Sequence, residues 1–163
     1  MSIEEKLKSM GIELNTPPTP VANYIPVQQT GNLIYLSGQG PRDESGNFIT
    51  GKVGSEISAE EAYELSKNTA INLISAMKAY LGSLDKVVKI VKVFGMVNAE
   101  QNFIDHPKVI NGCSDFFVEV FGSGTFELYF CPFRRAFPRQ LSNGLEIFFP
   151  FKKLFRHFSR HNY

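Results

Sequence analysis

The sequence predicts an α/β protein of the two-layer α+β kind, and three observations carry that reading. Short runs rich in β-branched and aromatic residues lie before and between two long amphipathic patterns. The first pattern, residues 59–81, keeps Ala62, Leu65, Thr69, Leu73, Met77 and Leu81 on one stripe, with Ala70 and Ile74 beside them. The second opens near Pro107 and sets Val109, Ile110, Cys113, Phe116, Phe117 and Val120 on one side. One mixed β-sheet with two main helices on one face buries both stripes.

In chain order, residues 3–10 predict a short helix closed by Gly11. The Thr16-Pro-Pro-Thr-Pro20 stretch cannot continue it and is expected to run extended. Residues 24–29 and 32–37 read as two short strands joined at Thr30-Gly31. After a turn at Ser45-Gly46-Asn47, residues 48–51 read as a third. Ser58 and Glu61 have the spacing of a capping box and start the helix that Gly82 ends. Residues 86–98, rich in Val and Ile, predict one long strand, and Pro107 suits the first turn of the next helix. The predicted order is β-β-β-α-β-α.

A chain of 163 residues suits one domain with a hydrophobic core. A net charge of +1 argues against bulk attraction to nucleic acid. Two cysteines, Cys113 and Cys131, are too few for a disulfide framework, so a reducing, cytoplasmic compartment is expected. The opening residues lack an apolar signal core, and no run of about 18 apolar residues predicts a membrane span. There is no P-loop, G-x-G-x-x-G, H-E-x-x-H or C-x-x-C. His106, His157 and His161 are too scattered for a metal site, and His106 is expected to cap a helix. Spacing alone leaves the function open.

The character of the chain changes after Gly122. Residues 1–122 carry 10 Lys+Arg against 14 Asp+Glu, whereas residues 123–163 carry 7 against 2. The later part has no valine, one alanine (Ala136) and nine of the 15 phenylalanines. The expected organisation is therefore a domain over 1–122 followed by an atypical, Phe-rich, basic segment over 123–163.

Two segments point to chemistry. Asn32-Leu-Ile-Tyr-Leu-Ser-Gly-Gln-Gly-Pro41 is an apolar strand ending abruptly in small polar residues. Val109-Ile-Asn-Gly-Cys-Ser-Asp-Phe-Phe-Val-Glu-Val-Phe-Gly122 sets a polar Asn-Gly pair inside an amphipathic helix. With Val21-Ala-Asn-Tyr-Ile-Pro26 and Gly51-Lys-Val-Gly54, they resemble the RidA/YjgF/UK114 (endoribonuclease L-PSP-like) family, in its longer subgroup with an N-terminal helical extension. The resemblance covers about residues 2–122. It implies a chorismate mutase-like fold and homotrimers with ligand clefts between subunits. It also implies hydrolysis of enamine/imine intermediates such as 2-aminoacrylate to a 2-keto acid and ammonia, with no metal or organic cofactor. By resemblance, Tyr24 and Asn111 bind substrate, while Ser37 and Gly38 face it with a hydroxyl and backbone groups. Each also has a plain structural explanation: packing for Tyr24, a strand-end hydrogen bond for Ser37, an inward polar residue for Asn111.

Beyond the second helix the resemblance breaks. The family pattern carries an Ala-Arg-Ser strand whose arginine pairs the substrate carboxylate, then a strand with Glu-Ile-Glu. Laid on without gaps, Tyr129 stands where that arginine belongs, and tyrosine offers one hydrogen bond and no fixed charge. Arg134 is five positions on, roughly 16 Å along a strand and on the opposite face. Arg135 keeps parity but lies farther. Glu146 is the candidate for the acidic residue that places water.

Residues 123–163 are read in three ways. They are the product of a frame disruption or altered exon, a diverged but genuine pair of strands, or a surface-binding tail. In the third, Phe151, Leu154, Phe155 and Phe158 form a stripe among Lys152, Lys153, Arg156 and Arg160. The functional expectation is a RidA-type imine/enamine deaminase scaffold short of its carboxylate anchor, with a weakened or absent trimer. The alternatives are a non-catalytic small-carboxylate- or partner-binding protein of the same fold and, more weakly, a ribonuclease.

Overall fold

Two long helices, each laid against its own pair of strands, dominate the described part of the chain. The computed structural model describes residues 1–17 and 24–122, together with the backbone of 127–133. The elements run α1 (Ile3–Ser9), β1 (Val27–Thr30), β2 (Leu33–Leu36), α2 (Ala59–Leu81), β3 (Lys92–Asn98), α3 (His106–Phe121) and β4 (Glu127–Phe133), with a 3-10 turn at Leu84–Lys86. Among the described residues β1 and β2 pair antiparallel and β3 and β4 pair parallel. Helix α2 contacts β1 and β2, α3 contacts β3 and β4, and the two helices pack on each other.

Helix α2 has the predicted bounds because its ends are chemically marked. Ser58 Oγ accepts from the Glu61 amide, the Glu61 carboxylate accepts from the Ser58 amide, and Gly82 closes the helix at φ +75°. Its stripe, including Ala62, Thr69, Ala70, Leu73, Ile74 and Met77, is buried. It meets Ile34 and Leu36 of β2, and Ile110, Cys113, Phe116 and Phe117 of α3, in one core.

Three sequence expectations change. The hairpin turn is Gly31-Asn32, since Thr30 already pairs with Leu33; Gly31 adopts φ +53°, where a side chain is strained. The third strand at 48–51 reduces to an isolated Arg42–Phe48 bridge. The turn before it is held by the Asp43 carboxylate, which accepts from the Asn47 amide at 2.8 Å. Pairing passes on instead to Val53, which bridges Ala99. The long strand at 86–98 is shorter, because Ser83 Oγ and Asp85 curl its start into the 3-10 turn and β3 begins at Lys92. The compositional break after Gly122 does not end the sheet: β4 lies beyond it, with Phe94 opposite Tyr129. The remainder of the Thr16–Pro20 stretch after Pro17, and the amphipathic pattern at 151–158, lie outside the described residues.

The crossing of α2 and α3 depends on Gly112. An ideal Cβ there would lie 2.0 Å from the Tyr63 carbonyl oxygen, so the Asn-Gly pair supplies the space the crossing needs. Beside it the Cys113 amide donates to Ser66 Oγ at 3.2 Å in buried surroundings. Helix α1 is tied in separately. Glu4 accepts from Lys78 and from the Leu84 amide, and the Ile3 amide donates to the Asp85 carboxylate.

Two outcomes follow. Gly112→Ala gains helix propensity of about 1 kcal/mol, yet is expected to destabilise by about 1–3 kcal/mol net through overpacking against backbone. Urea unfolding reads this, and a stabilised variant contradicts the crossing. Glu4 is the second case: burial pulls its carboxyl up, but Lys78 and the Leu84 amide outweigh it and hold it below 4.5. A depressed carboxyl stabilises the fold above its unfolded value and loses that contribution as pH falls through the lower folded value. Glu4→Gln is therefore expected to cost at most about 1 kcal/mol at pH 7, given solvent screening, and the difference should vanish in acid. A pH-independent difference contradicts it.

Candidate functional site

The strand end of β2 is built by its own side chain. The Ser37 amide donates to the Pro26 carbonyl at 2.9 Å, and Ser37 Oγ donates to the Ile25 carbonyl at 2.6 Å. Ser37 thereby extends the hairpin one residue and draws the segment carrying Tyr24 alongside Gly38. Its hydroxyl hydrogen is committed, so toward a ligand the oxygen acts as an acceptor. Tyr24 is 45 % exposed, and Gly38 is half-buried.

Asn111 is exposed on α3, which corrects its reading as an inward polar residue. The cause is helical geometry: Gly112 is the residue that faces α2, so its neighbour is turned outward. Among the described residues no hydrogen bond joins Asn111 to Tyr24, Ser37 or Gly38. The structure thus ties Ser37, with Gly38 after it, to the backbone of Ile25 and Pro26 that follows Tyr24 in the chain, and presents Asn111 on a separate element. Glu146, Arg134 and Arg135 lie outside the described residues. Tyr129 is placed by its register on β4.

Arg42 is the only arginine among the described residues, and it is engaged in its own loop. Its guanidinium stacks 3.8 Å from the Phe48 ring centroid, and Nη1 donates to the Gly46 carbonyl at 2.6 Å. A polar cleft of about 390 Å³ borders this loop, lined by Asn15, Gln39, Arg42, Glu44, Asn68 and Asn72.

His106 does not cap α3. Asp105 holds the N-cap position, and His106 is buried edge-on against Phe103 with ring centroids 5.2 Å apart. The Cys113 thiol is in the core, where burial pushes it well above its ordinary range, so it is no nucleophile at neutral pH. Among the described residues no group of three or more His, Cys, Asp or Glu is placed to hold a metal ion, and no helix is long and apolar enough to cross a membrane. Sequence reasoning missed Asn68 and Asn72 on α2, whose amides reach the loop after Gly38. The available signal was two amides four residues apart beside an apolar stripe.

The sequence model of the YjgF/chorismate mutase-like family, described further as "putative endoribonuclease", matches residues 4–130. Protein TCP17 of Trypanosoma cruzi is 32% identical over 120 residues, 74% of this chain and 75% of that protein. A crystal structure from Shewanella oneidensis, also described as a "putative endoribonuclease", superposes with a TM-score of 0.81 at 26% identity, covering 93% of this chain and 99% of that one. A protein of unknown function from Agrobacterium tumefaciens gives 0.79 at 30% identity, covering 93% and 94%. The chain belongs to the YjgF/chorismate mutase-like family, and its fold is that α/β fold. The resemblance seen at residues 32–41 and 109–122 holds, and the family match runs past Gly122 into β4.

The geometry predicts that Ser37→Ala loses a side-chain bond between strand end and neighbouring segment, costing about 0.5–1.5 kcal/mol. Chemical denaturation measures it. Unchanged stability would mean that the Ser37–Ile25 bond does not form.

Proposed function

We propose that this chain carries one wall of a RidA-type site for 2-imino acids, formed by Tyr24, Ser37, Gly38 and Asn111, and hydrolyses them slowly for want of a carboxylate-anchoring arginine. The observation that carries this reading is the register of β4. The strand follows α3 and runs parallel to β3 with Tyr129 opposite Phe94, which supports the ungapped reading in which Tyr129 stands where the family pattern has its arginine. Arg42 is held within its loop by the Gly46 carbonyl and the Phe48 ring, with its buried Nε left without a hydrogen-bond partner among the described residues.

The chemistry asks little of the protein. 2-Aminoacrylate tautomerises to its imine, water adds to the C=N carbon, and the carbinolamine expels ammonia to leave pyruvate. Ser37 Oγ, its hydrogen given to Ile25, is suited to accept from the imine N–H. Tyr24 and Asn111 add exposed hydrogen-bonding groups, and Glu146 is the proposed partner for the attacking water. Exposure of Tyr24 and Asn111 supports a cleft completed by a second copy in a trimer, since neither is joined to the other within the chain. Escherichia coli TdcF, 17% identical and alike in fold, was crystallised with bound serine, an amino acid of the same carbon skeleton.

Pyruvate and ammonia release from freshly generated 2-aminoacrylate tests the reading. Tyr129→Arg is expected to raise kcat/KM by about 10- to 100-fold, the worth of a charge-assisted pair. Wild-type turnover equal to that of an arginine-bearing relative, with no gain in the variant, would overturn it. Pyruvate binding without turnover in either protein would favour the alternative, a non-catalytic carboxylate binder.

A further inference from the structure

Ser37 and Gly38 open a segment, Gly38-Gln39-Gly40, that has two glycines and, among the described residues, no strand paired with it. Such a segment is costly to hold in one conformation. Its support comes from α2. Asn72 Nδ2 donates to the Gly40 carbonyl at 3.0 Å and to Asn68 Oδ1 at 3.3 Å. The same Asn68 Oδ1 accepts from the Arg42 amide at 2.9 Å. The partners fix the orientation of both side chains, because a carbonyl only accepts and an amide N–H only donates. All three bonds are partly buried, which strengthens them relative to exposed ones.

We propose that Asn72, with Asn68 as its acceptor, is the positioning residue for the Ser37–Gly38 wall. It touches no reacting atom and acts through the Gly40 carbonyl, fixing where the Ser37 oxygen and the Gly38 backbone stand relative to α2. Its meaning for catalysis rests on the reading under Proposed function, but its structural content does not.

The same substitution at two positions one helical turn apart should give opposite results. Asn68→Asp keeps an acceptor for the Arg42 amide and for Asn72. Asn72→Asp removes both donors and sets a carboxylate against two acceptors. Asn and Asp differ little in helix propensity, so the comparison is clean.

The readout is the hydrogen-exchange protection of the Ser37 and Arg42 amides, normalised for intrinsic rate, with the Cys113 amide on the α3 side of α2 as control. In Asn72→Asp, protection at Ser37 and Arg42 is expected to fall about tenfold at neutral pH while Cys113 is unchanged. It should recover as pH drops through the new carboxyl's range, where the acid O–H again donates to Gly40. In Asn68→Asp it should stay within about twofold of wild type. Asn68→Ala, a milder variant that removes the shared acceptor, should lower protection at Arg42 first. Unchanged protection in Asn72→Asp, equal loss in both Asp variants, loss that includes Cys113, or no recovery in acid each overturns the proposal. A wild-type chain that neither turns over 2-aminoacrylate nor binds pyruvate would count against the proposed function alone, because the exchange result stands without a ligand.

Discussion

Where α3 crosses α2 there is room for a hydrogen atom and nothing larger. The Tyr63 carbonyl of α2 fills the space a side chain at Gly112 would need. That approach lets Phe116, Phe117, Ile110 and Cys113 interdigitate with Leu73, Ile74 and Met77 rather than ride above them. It also lets a mid-helix amide, Cys113 N–H, reach a side chain on the other helix. Because each helix lies against its own strand pair, the crossing sets the two strand pairs relative to each other.

Helix α2 thereby serves as a common reference for two separate pieces of the proposed wall. On one side Ser66 and the Tyr63 backbone seat α3, which turns Asn111 outward. On another, Asn68 and Asn72 hold the loop that follows Ser37 and Gly38. Polar residues along a largely buried helix usually spend their hydrogen bonds on its own backbone, as Thr69 does with Leu65 and Ser75 with Ile71. Asn68 and Asn72 instead reach outward, and those bonds are the ones that bear on the site.

Much of this was readable from local chemistry. The bounds of α2 were, because Ser58, Glu61 and Gly82 mark them whatever the helix packs against. So was α3, through Pro107 and its apolar side. The strand at 48–51 misled because β-branched and aromatic residues describe a surface, and the turn held by Asp43 and the handover to Val53 decide whether a ladder forms there. The early start of the strand after α2 misled similarly: Ser83 caps a local 3-10 turn, and the Asp85 carboxylate is taken by the Ile3 amide of α1, far away in sequence. The alternative reading of Asn111 as an inward polar contact fails because its glycine neighbour is the residue that faces in. The asparagine pair showed in the sequence only as two amides one helical turn apart, because its partners are backbone atoms of a distant loop, which the sequence does not mark. Composition fell sharply after Gly122, yet β4 still pairs with β3, since ladder bonds are made by backbone and tolerate a change of side chains.

In the proposed wall the Gly38 strand end and Asn111 of α3, each held separately on α2, serve one ligand. The direct measurement is an amide chemical-shift titration of the isotopically labelled chain with pyruvate. The Gly38 and Asn111 amides are expected to move together with a single half-saturation concentration. Movement of one without the other, or shifts confined to Asn15 and Arg42 at the polar cleft, would contradict it.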